Sequence, residues 1–261
     1  MKHVRAKKHL GQHFLKDQGI ALKIVNSLTK HNGYHKLVEI GPGTGVLTDI
    51  LLEQAKFDTI FFDVDRDSIA FLKEKYPAHQ EQFVLADFLH QKMEDVYGSE
   101  PFGIVGNFPY NISSQIFFRV LAYKHQIPEV VGMVQREVGL RIAAGPGSKT
   151  YGILSVFLQA FYEVEYLFSV PPEVFNPPPK VTSGVLRLKR NNVEKLDCDE
   201  KLFFQTVKQG FNNRRKTLRN ALKPLGLSDA LKELPILDKR AEQLSVADFV
   251  ELTKAISGGE D

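Results

Sequence analysis

From residue 37 to residue 190 the chain alternates between short apolar runs and segments in which apolar residues recur every three or four positions. Short runs bounded by turn residues predict buried strands, and the longer spacing predicts helices that bury one face. The pattern predicts strands at Leu37–Ile40, Thr59–Val64, Phe83–Ala86, Phe102–Val105, Glu129–Val134, Leu154–Val164 and Val181–Lys189, and helices at Val46–Gln54, Ser68–Tyr76 and Ser113–Tyr123. Such alternation indicates an α/β fold with a parallel sheet and helices on both faces.

Beyond Arg190 the pattern changes to helical spacing alone. It predicts helices at Lys201–Phe211, Arg214–Leu222, Ser228–Leu234 and Val246–Ile256. Ser245 and Asp248 have the spacing of a capping box at the start of the last helix. We therefore expect two domains: residues 1–190, with a basic N-terminal segment at 1–16, and a small all-helical domain at 191–261.

Composition narrows the class of protein without identifying it. Of the 261 residues, 43% are hydrophobic and 25% are charged, which is typical of a globular chain with a sizeable core. The longest uncharged apolar stretch, 150–162, is too short to span a bilayer, and the first residues lack the apolar core of a secretory signal. Cys198 is the single cysteine, so an intramolecular disulfide is excluded. These features predict a cytoplasmic protein with no membrane partner.

Positive charge is concentrated in two segments. Residues 1–36 carry eight Lys and Arg against one acid, and residues 184–225 carry eleven against four, although the net charge of the chain is only +3. Neutralisation of phosphates supplies most of the non-specific affinity for nucleic acid. The distribution therefore favours a polyanionic partner, while a merely solvated basic surface remains the alternative.

A glycine-rich loop follows the first strand of the sheet, at Glu39-Ile40-Gly41-Pro42-Gly43-Thr44-Gly45. Glycines at 41 and 43 allow the backbone to approach a ligand closely. Asp63 and Asp87 stand at the ends of the next two strands, where carboxylates can accept hydrogen bonds from a ribose and from an adenine amino group. Val46 stands where a dinucleotide fingerprint has its last glycine, which disfavours NAD(P). The pattern E-x-G-x-G-x-G resembles the loop of class I methyltransferases that use S-adenosylmethionine (SAM). A plain turn is the remaining alternative.

The second motif is Asn107-Phe108-Pro109-Tyr110, directly after the fourth strand. It resembles the motifs of methyltransferases that act on planar amino groups. The Asn107 side-chain oxygen and the Pro109 carbonyl can both accept hydrogen bonds from an exocyclic amine and so orient its nitrogen toward a methyl donor. Tyr110 can stack on the base. Beside the glycine loop, this motif predicts catalysis rather than a structural proline turn.

These motifs, together with the segments KHLGQHFL (8–15) and GNFPYNIS (106–113), make the whole chain resemble the KsgA/Dim family of rRNA adenine N6,N6-dimethyltransferases. The resemblance implies a Rossmann-like SAM-dependent methyltransferase sheet with a helical C-terminal domain. It also implies dimethylation of two adjacent adenosines near the 3′ end of 16S rRNA in the 30S subunit, with a role in small-subunit biogenesis. S-adenosylhomocysteine would be the product, with no metal required.

The resemblance also implies roles for individual residues. His13 and Leu15 match the N-terminal segment that closes over the cofactor, and Gly41, Asp63, Asp87 and Asn107 match positions that contact it. Phe175 matches an aromatic residue that sandwiches the target adenine opposite Tyr110; from the residues alone it would be a buried loop anchor. His stands at position 13 where many relatives have Asn, and Phe at 108 where Leu is commoner.

A third motif, Gly210-Phe211-Asn212-Asn213-Arg214-Arg215-Lys216-Thr217-Leu218-Arg219, places four cations within six residues. We expect it to open a helix, capped by Asn212 or Asn213, and to present a phosphate-binding surface. The resemblance implies contact with rRNA here and at the N-terminal lysines. The predicted RNA-binding residues are Lys7, Lys8, Arg214, Arg215, Lys216 and Arg219.

Two other functions stay open. An Erm-type enzyme, which methylates an adenosine of 23S rRNA, shares the cofactor loop and the Asn-x-Pro-Tyr core, so these motifs do not separate the two. The KHLGQHFL start and the FNNRRKTLRN segment favour the KsgA branch. A non-catalytic ribosome-assembly factor is the other alternative, against which the intact Asn107 motif argues. His9 and His13 have the spacing of helical metal ligands, but no third ligand is evident, and we expect no metal and a monomer.

Overall fold

A computed structural model describes residues 4–258 of the chain. The strands are β1 (Phe14–Leu15), β2 (Lys36–Ile40), β3 (Asp58–Asp63), β4 (Phe83–Leu85), β5 (Phe102–Asn107), β6 (Glu129–Gln135), β7 (Tyr162–Val170), β8 (Phe175–Asn176) and β9 (Ser183–Arg190). The helices are α1 (Gln18–Asn26), α2 (Val46–Gln54), α3 (Arg66–Lys75), α4 (Glu94–Tyr97), α5 (Ser113–Ala122), α6 (Arg136–Ala143), α7 (Ile153–Phe161), α8 (Glu200–Asn212), α9 (Leu218–Ala221), α10 (Asp229–Lys232) and α11 (Val246–Gly258).

Seven strands form one mixed sheet in the order β4-β3-β2-β5-β6-β9-β7. The five strands from β4 to β6 are parallel, whereas β9 pairs with β6 antiparallel. A separate two-stranded sheet joins β1 to β8. The predicted α/β class is confirmed. The expectation of a parallel sheet is wrong at β9, because the direction in which a strand pairs is set by tertiary contacts that its apolar pattern does not encode.

The chain divides into two compact units. The first comprises residues 1–139 and 164–190, and the second comprises residues 140–163 and 191–261. Residues 140–163, expected to belong to the N-terminal domain, thus group with the C-terminal helices. The functional assignment of domains 1–190 and 191–261 stays a prediction. The first three residues of the basic segment 1–16 and the last three of the polar tail lie outside the described residues.

The core of the first unit forms between α1, α2 and α3 and one side of the sheet. Its buried side chains come from elements far apart in sequence, among them Ile24, Leu51, Phe61 and Val131. Helix α2 starts and ends where the apolar spacing predicts, because Gly45 and Ala55 at its ends adopt left-handed backbone conformations. The carboxyl ends of β2, β3 and β5 therefore lie next to each other at one edge of the sheet, where ligands bind in folds of this kind.

The predicted strand at Leu154–Val164 is wrong, since this segment begins with helix α7. Its side chains at Val156, Phe157, Leu158 and Phe161 are all buried. A helix that is apolar all round gives a continuous apolar run, which periodicity alone cannot distinguish from a buried strand. The strand β7 begins only at Tyr162, at the end of the predicted range.

The predicted basic helix at Arg214–Leu222 is also wrong over its first half. Helix α8 continues to Asn212, Asn213 follows it as the C-cap, and the next helix begins only at Leu218. Residues 213–216, which we call the cationic turn, connect the two helices. Neither asparagine caps the N-terminus of α9, where Thr217 stands instead. Tertiary contacts override the helical spacing here, since the guanidinium of Arg214 donates to the backbone carbonyls of Lys149 and Tyr151.

Candidate active site

The glycine loop leaves β2 at Ile40 and enters α2 at Val46. Gly41 and Gly43 have φ values of +68° and +56°, in the left-handed region that other residues avoid. A Cβ atom at Gly41 would meet only the Asn107 carbonyl at 3.9 Å and Pro109 Cδ at 4.0 Å. Glycine is thus required there by the backbone conformation, and the space beside it stays open toward the Asn107 motif.

Asp63 ends β3 and points its carboxylate at the glycine loop. One oxygen accepts a hydrogen bond from the backbone N–H of Gly43 at 3.2 Å, and the other accepts from that of Asp65 at 2.9 Å. Burial, which leaves the residue only 7% exposed, raises the pKa of the Asp63 carboxyl to about 6. Each carboxylate oxygen keeps a further acceptor site, so Asp63 can receive hydroxyl donors from a ligand at neutral pH.

The Asn107 motif follows β5, in the middle of the sheet. The Nδ2 amide of Asn107 donates to the backbone carbonyl of His13 at 2.8 Å, which leaves its Oδ1 as the acceptor of that side chain. Phe108 is fully buried, and its N–H donates to the Met133 carbonyl of β6 at 3.0 Å. The Pro109 carbonyl accepts from Ile112 N–H at 3.1 Å and retains one lone pair.

Two contacts fix the Tyr110 side chain, one at its hydroxyl and one on a face of its ring. Its hydroxyl shares a 2.5 Å hydrogen bond with the Ser183 hydroxyl at the start of β9, and burial raises the pKa of the Tyr110 phenol. The His13 ring stacks against it with centroids 5.6 Å apart. A base that stacks on Tyr110 must therefore use its other face or displace His13.

The N-terminal segment crosses this edge of the sheet and is fixed there by ion pairs and hydrogen bonds. Lys7 Nζ lies 2.6 Å from Asp65 and 2.7 Å from Asp67, and Gln12 Nε2 donates to Asp65 at 2.9 Å. Burial acts to raise the pKa of Asp65, but the hydrogen bonds from Lys7 and Gln12 outweigh it, so that the pKa is lowered overall. The predicted RNA contact Lys7 is thus engaged inside the first unit.

Further along, the same segment pairs with the loop before β9. Phe14 and Leu15 of β1 pair with Asn176 and Phe175 of β8, and His13 Nδ1 donates to the Pro177 carbonyl at 2.8 Å. Together these elements line a cleft with about 460 Å³ of space, part of it open to solvent. Its lining residues are Leu10, Gly11, Gln12, His13, Phe14, Gly41, Gly43, Asp63, Val64, Asn107, Phe108, Pro109 and Tyr110.

Three of the residues predicted from sequence lie outside this cleft lining. Leu15 is buried and lines a smaller adjoining cavity. Asp87 lies in the turn after β4, where its carboxylate accepts from Leu89 N–H at 2.9 Å and pairs with His90. Phe175 is only 1% exposed and packs in the core of the first unit, as its residue type alone suggests. The roles implied by resemblance for these three residues stay predictions.

Several residues of the site carry no signal that sequence reasoning used. Gln12 and Asp65 form the polar contact that holds the N-terminal segment, and Ser183 holds Tyr110 from 73 residues away. Gln12 lies inside the KHLGQHFL segment, which could have drawn attention to it. Asp65 and Ser183 gain their importance from tertiary contacts, which leave no local pattern.

The chemistry of the cleft suits an adenosine-type methyl donor. Gly41 and Gly43 have no Cβ atoms, so a ligand can approach the backbone of the loop. The Asp63 carboxylate can accept hydrogen bonds from a ribose, and Asn107 Oδ1 can accept one from an amine, in the same cleft. Among residues 4–258, no cluster of His, Cys, Asp or Glu is arranged to hold a metal ion. No helix in that part of the chain has the length and apolarity to span a bilayer.

The predicted RNA-binding residues of the second unit differ in their environments. Arg215 and Lys216 are exposed on the cationic turn. Arg219 pairs with Asp238 at 2.8 Å and also donates to the Lys232 carbonyl. Arg214 donates from Nη2 to the backbone carbonyls of Lys149 and Tyr151. In the first unit, Lys8 is exposed at the start of a 3₁₀ turn.

The chain has a Rossmann-like sheet with a glycine loop after β2, an acidic residue at the end of β3 and Asn-x-Pro-Tyr after β5. These features together define the class of SAM-dependent methyltransferases. Within it, the chain belongs to the ribosomal RNA adenine dimethylase family, whose family model matches residues 3–257. The fold class and the resemblance read from the sequence are thereby confirmed. Members of this family are enzymes that use SAM and modify rRNA.

Relatives and solved structures agree with this assignment. The chain is 58% identical to a ribosomal RNA small subunit methyltransferase A of Cytophaga hutchinsonii, covering 99% of this chain and 100% of the relative. It is 54% identical to the Flavobacterium johnsoniae protein of the same name, covering 98% and 97%. In fold it is similar to a dimethyladenosine transferase from Plasmodium falciparum, with a TM-score of 0.74 at 24% identity over 92% of this chain and 96% of that one. It is also similar to the 23S rRNA methyltransferase ErmE, with a TM-score of 0.66 at 25% identity over 92% and 99%.

Proposed function

We propose that this protein transfers methyl groups from SAM to the N6 amines of two adjacent adenosines near the 3′ end of 16S rRNA, in the 30S subunit. The observation that carries the proposal is the Asn107 motif at the end of β5, with its side-chain oxygen left as acceptor beside the glycine loop. The name shared by the relatives at 58% and 54% identity supports the small-subunit target. The site of action would be the cytoplasm, and the protein would act as a monomer.

The residues that would hold SAM are those whose environment suits it: the Gly41 and Gly43 backbone, the Asp63 carboxylate and the N-terminal segment around His13. When bound, SAM supplies an electrophilic methyl group, leaves as S-adenosylhomocysteine and requires no metal. Gly43 N–H and Asp65 N–H fix the Asp63 carboxylate, so its remaining acceptor sites are already oriented toward hydroxyl donors. Leu15 and Asp87 would contact the cofactor as the resemblance implies.

The adenine amine would be recognised by two acceptors of this chain. Asn107 Oδ1 and the second lone pair of the Pro109 carbonyl accept the two N6 hydrogens and stabilise the positive charge that develops on nitrogen as the methyl group is transferred. The Asn107 amide is not basic enough to take the proton, which leaves to solvent once N6 is cationic. Tyr110, oriented by Ser183, offers its ring to the base.

Transfer of labelled methyl groups from SAM to purified, unmethylated small subunits tests the proposal, with large subunits in parallel. Asn107→Ala is expected to abolish transfer while SAM affinity stays within several-fold. Asn26→Ala is the matched control, because its amide oxygen accepts only an exposed hydrogen bond from Gln54. N6,N6-dimethyladenosine in small-subunit RNA alone is the expected product. Label on large-subunit RNA would instead indicate an Erm-type activity, and no label despite SAM binding would indicate an assembly factor.

A further inference from the structure

The cationic turn of the second unit presents its positive charges unequally. Arg215 and Lys216 are exposed, and neither side chain makes a hydrogen bond or ion pair with residues 4–258. The guanidinium of Arg214, between them and α8, is instead half-buried and donates to main-chain carbonyls. The three adjacent cations therefore lie in different environments.

The carbonyls that Arg214 contacts belong to the loop of residues 145–151, between α6 and α7. Its Nη2 reaches the Lys149 carbonyl and, at 2.8 Å, the Tyr151 carbonyl. Two acceptors on one guanidinium nitrogen use both of its hydrogens, so this nitrogen has no donor left for a phosphate.

Two other contacts hold the same loop within the second unit. Gly147 N–H donates to the Glu242 carbonyl at 2.6 Å, and the fully buried Tyr151 ring meets Phe211 of α8 edge-on at 6.2 Å. The loop is thus anchored near its middle and at its end. Arg214 joins that anchored end to the cationic turn and brings the exposed Lys149 beside it.

We propose that Arg214 is a positioning residue and that Lys149, Arg215 and Lys216 form one composite surface for the phosphate backbone of RNA. Lys149 is then an RNA contact that lies more than 60 residues from the basic motif. The physical reason is that phosphates are bound most strongly by cations held at fixed spacing, because ordering a flexible lysine loop on binding costs conformational entropy. This inference rests on the proposed function for its natural ligand, rRNA of the small subunit.

The contact itself can be tested without RNA. Trypsin cleaves after Lys149 only if the loop leaves its anchored conformation. We expect Arg214→Gln to increase the rate of cleavage at Lys149 by about tenfold, whereas Arg215→Gln leaves it unchanged. Equal rates in Arg214→Gln and the wild type would overturn the positioning role. The far-UV circular dichroism spectrum, to which the helices of the second unit contribute, checks that both variants are folded.

A double-mutant cycle on RNA binding tests the composite surface. The affinity for unmethylated small subunits is measured between 50 and 300 mM salt. The slope of log K against log salt is negative, and each lost phosphate contact reduces its magnitude by about 0.7 to 0.9. Lys149→Gln and Arg214→Gln should each reduce the magnitude of the slope by the amount that corresponds to one phosphate contact. The double variant should show the same reduction as either single variant. In the control pair, Lys149→Gln and Arg215→Gln, the two losses should add.

Two results would overturn the proposal: an unchanged slope in Lys149→Gln, or additive losses in the Lys149 and Arg214 double variant. Additivity would mean that Arg214 contacts phosphate by itself. If the wild type does not bind small subunits at all, it is the proposed function that fails. The same cycle on poly(U), a single-stranded RNA without a defined fold, then decides whether the surface exists.

Discussion

The buried carboxylate of Asp63 predicts how SAM binding depends on pH. Burial raises its pKa to about 6, because few water molecules remain to stabilise the charge. Ribose hydroxyls donate to the ionised form, so the affinity for SAM should fall as the pH falls through 6. At pH 5 about a tenth of the carboxyl groups stay ionised, which predicts an affinity about tenfold weaker than at pH 7.

Isothermal titration of the free protein with SAM between pH 5 and pH 7 measures this effect. The upper limit keeps Glu39, a buried carboxyl whose pKa burial raises to about 8, protonated throughout. Asp63→Asn is the control, because it keeps an acceptor of the same size that does not titrate. The variant should bind SAM weakly and with little dependence on pH. A wild-type affinity that stays constant over this range, or an equally steep pH dependence in Asp63→Asn, would refute the reasoning.

Two further predictions concern the elements that support the site. Gly132→Ala should lower stability by about 1–3 kcal/mol, because its Cβ would lie 2.3 Å from the buried Phe108 ring; urea unfolding measures this against Gly145→Ala, whose Cβ would meet nothing within 4 Å. Tyr34→Phe should cost about 1–3 kcal/mol by removing a hydroxyl donor, 2.8 Å away, from the fully buried Glu129. Tyr166→Phe, which loses an exposed hydrogen bond, is the control and should change little. Equal unfolding midpoints within either pair would contradict the corresponding prediction.

The sequence predicts the elements that carry the chemistry better than those that surround it. Glycines at 41 and 43 and the acid at 63 follow strands whose short apolar runs are unambiguous, so their meeting at one edge follows from the parallel order alone. Helix α7 was missed because it is apolar on every side. The antiparallel placement of β9 depends on a pairing between residues 48 to 60 positions apart, which no local pattern encodes.

The side-chain contacts of the site were predicted less well for the same reason. The resemblance implies that Phe175 sandwiches the adenine, and the structure shows it paired with β1 and only 1% exposed, so that role stays a prediction. Arg214 was expected to face RNA on a helix, but it donates to carbonyls 63 and 65 residues away. In both cases the residue type shows which contacts the side chain can make, an aromatic packing contact or a donated hydrogen bond. The residue that it contacts in the structure comes from a distant part of the chain.

The contact between Asn107 and the N-terminal segment explains why this position suits asparagine better than aspartate. The His13 carbonyl lies 2.8 Å from Nδ2, so one end of the side chain must donate. In the proposed function the other end accepts from an amine, and an amide offers both a donor end and an acceptor end, whereas a carboxylate offers acceptors alone. An aspartate here would place a carboxylate oxygen against the His13 carbonyl oxygen. It would therefore lose the hydrogen bond that fixes the orientation of the side chain at position 107. In the proposed function the N-terminal segment would thus contribute to amine recognition through its backbone, a contact that does not depend on the side chain at position 13.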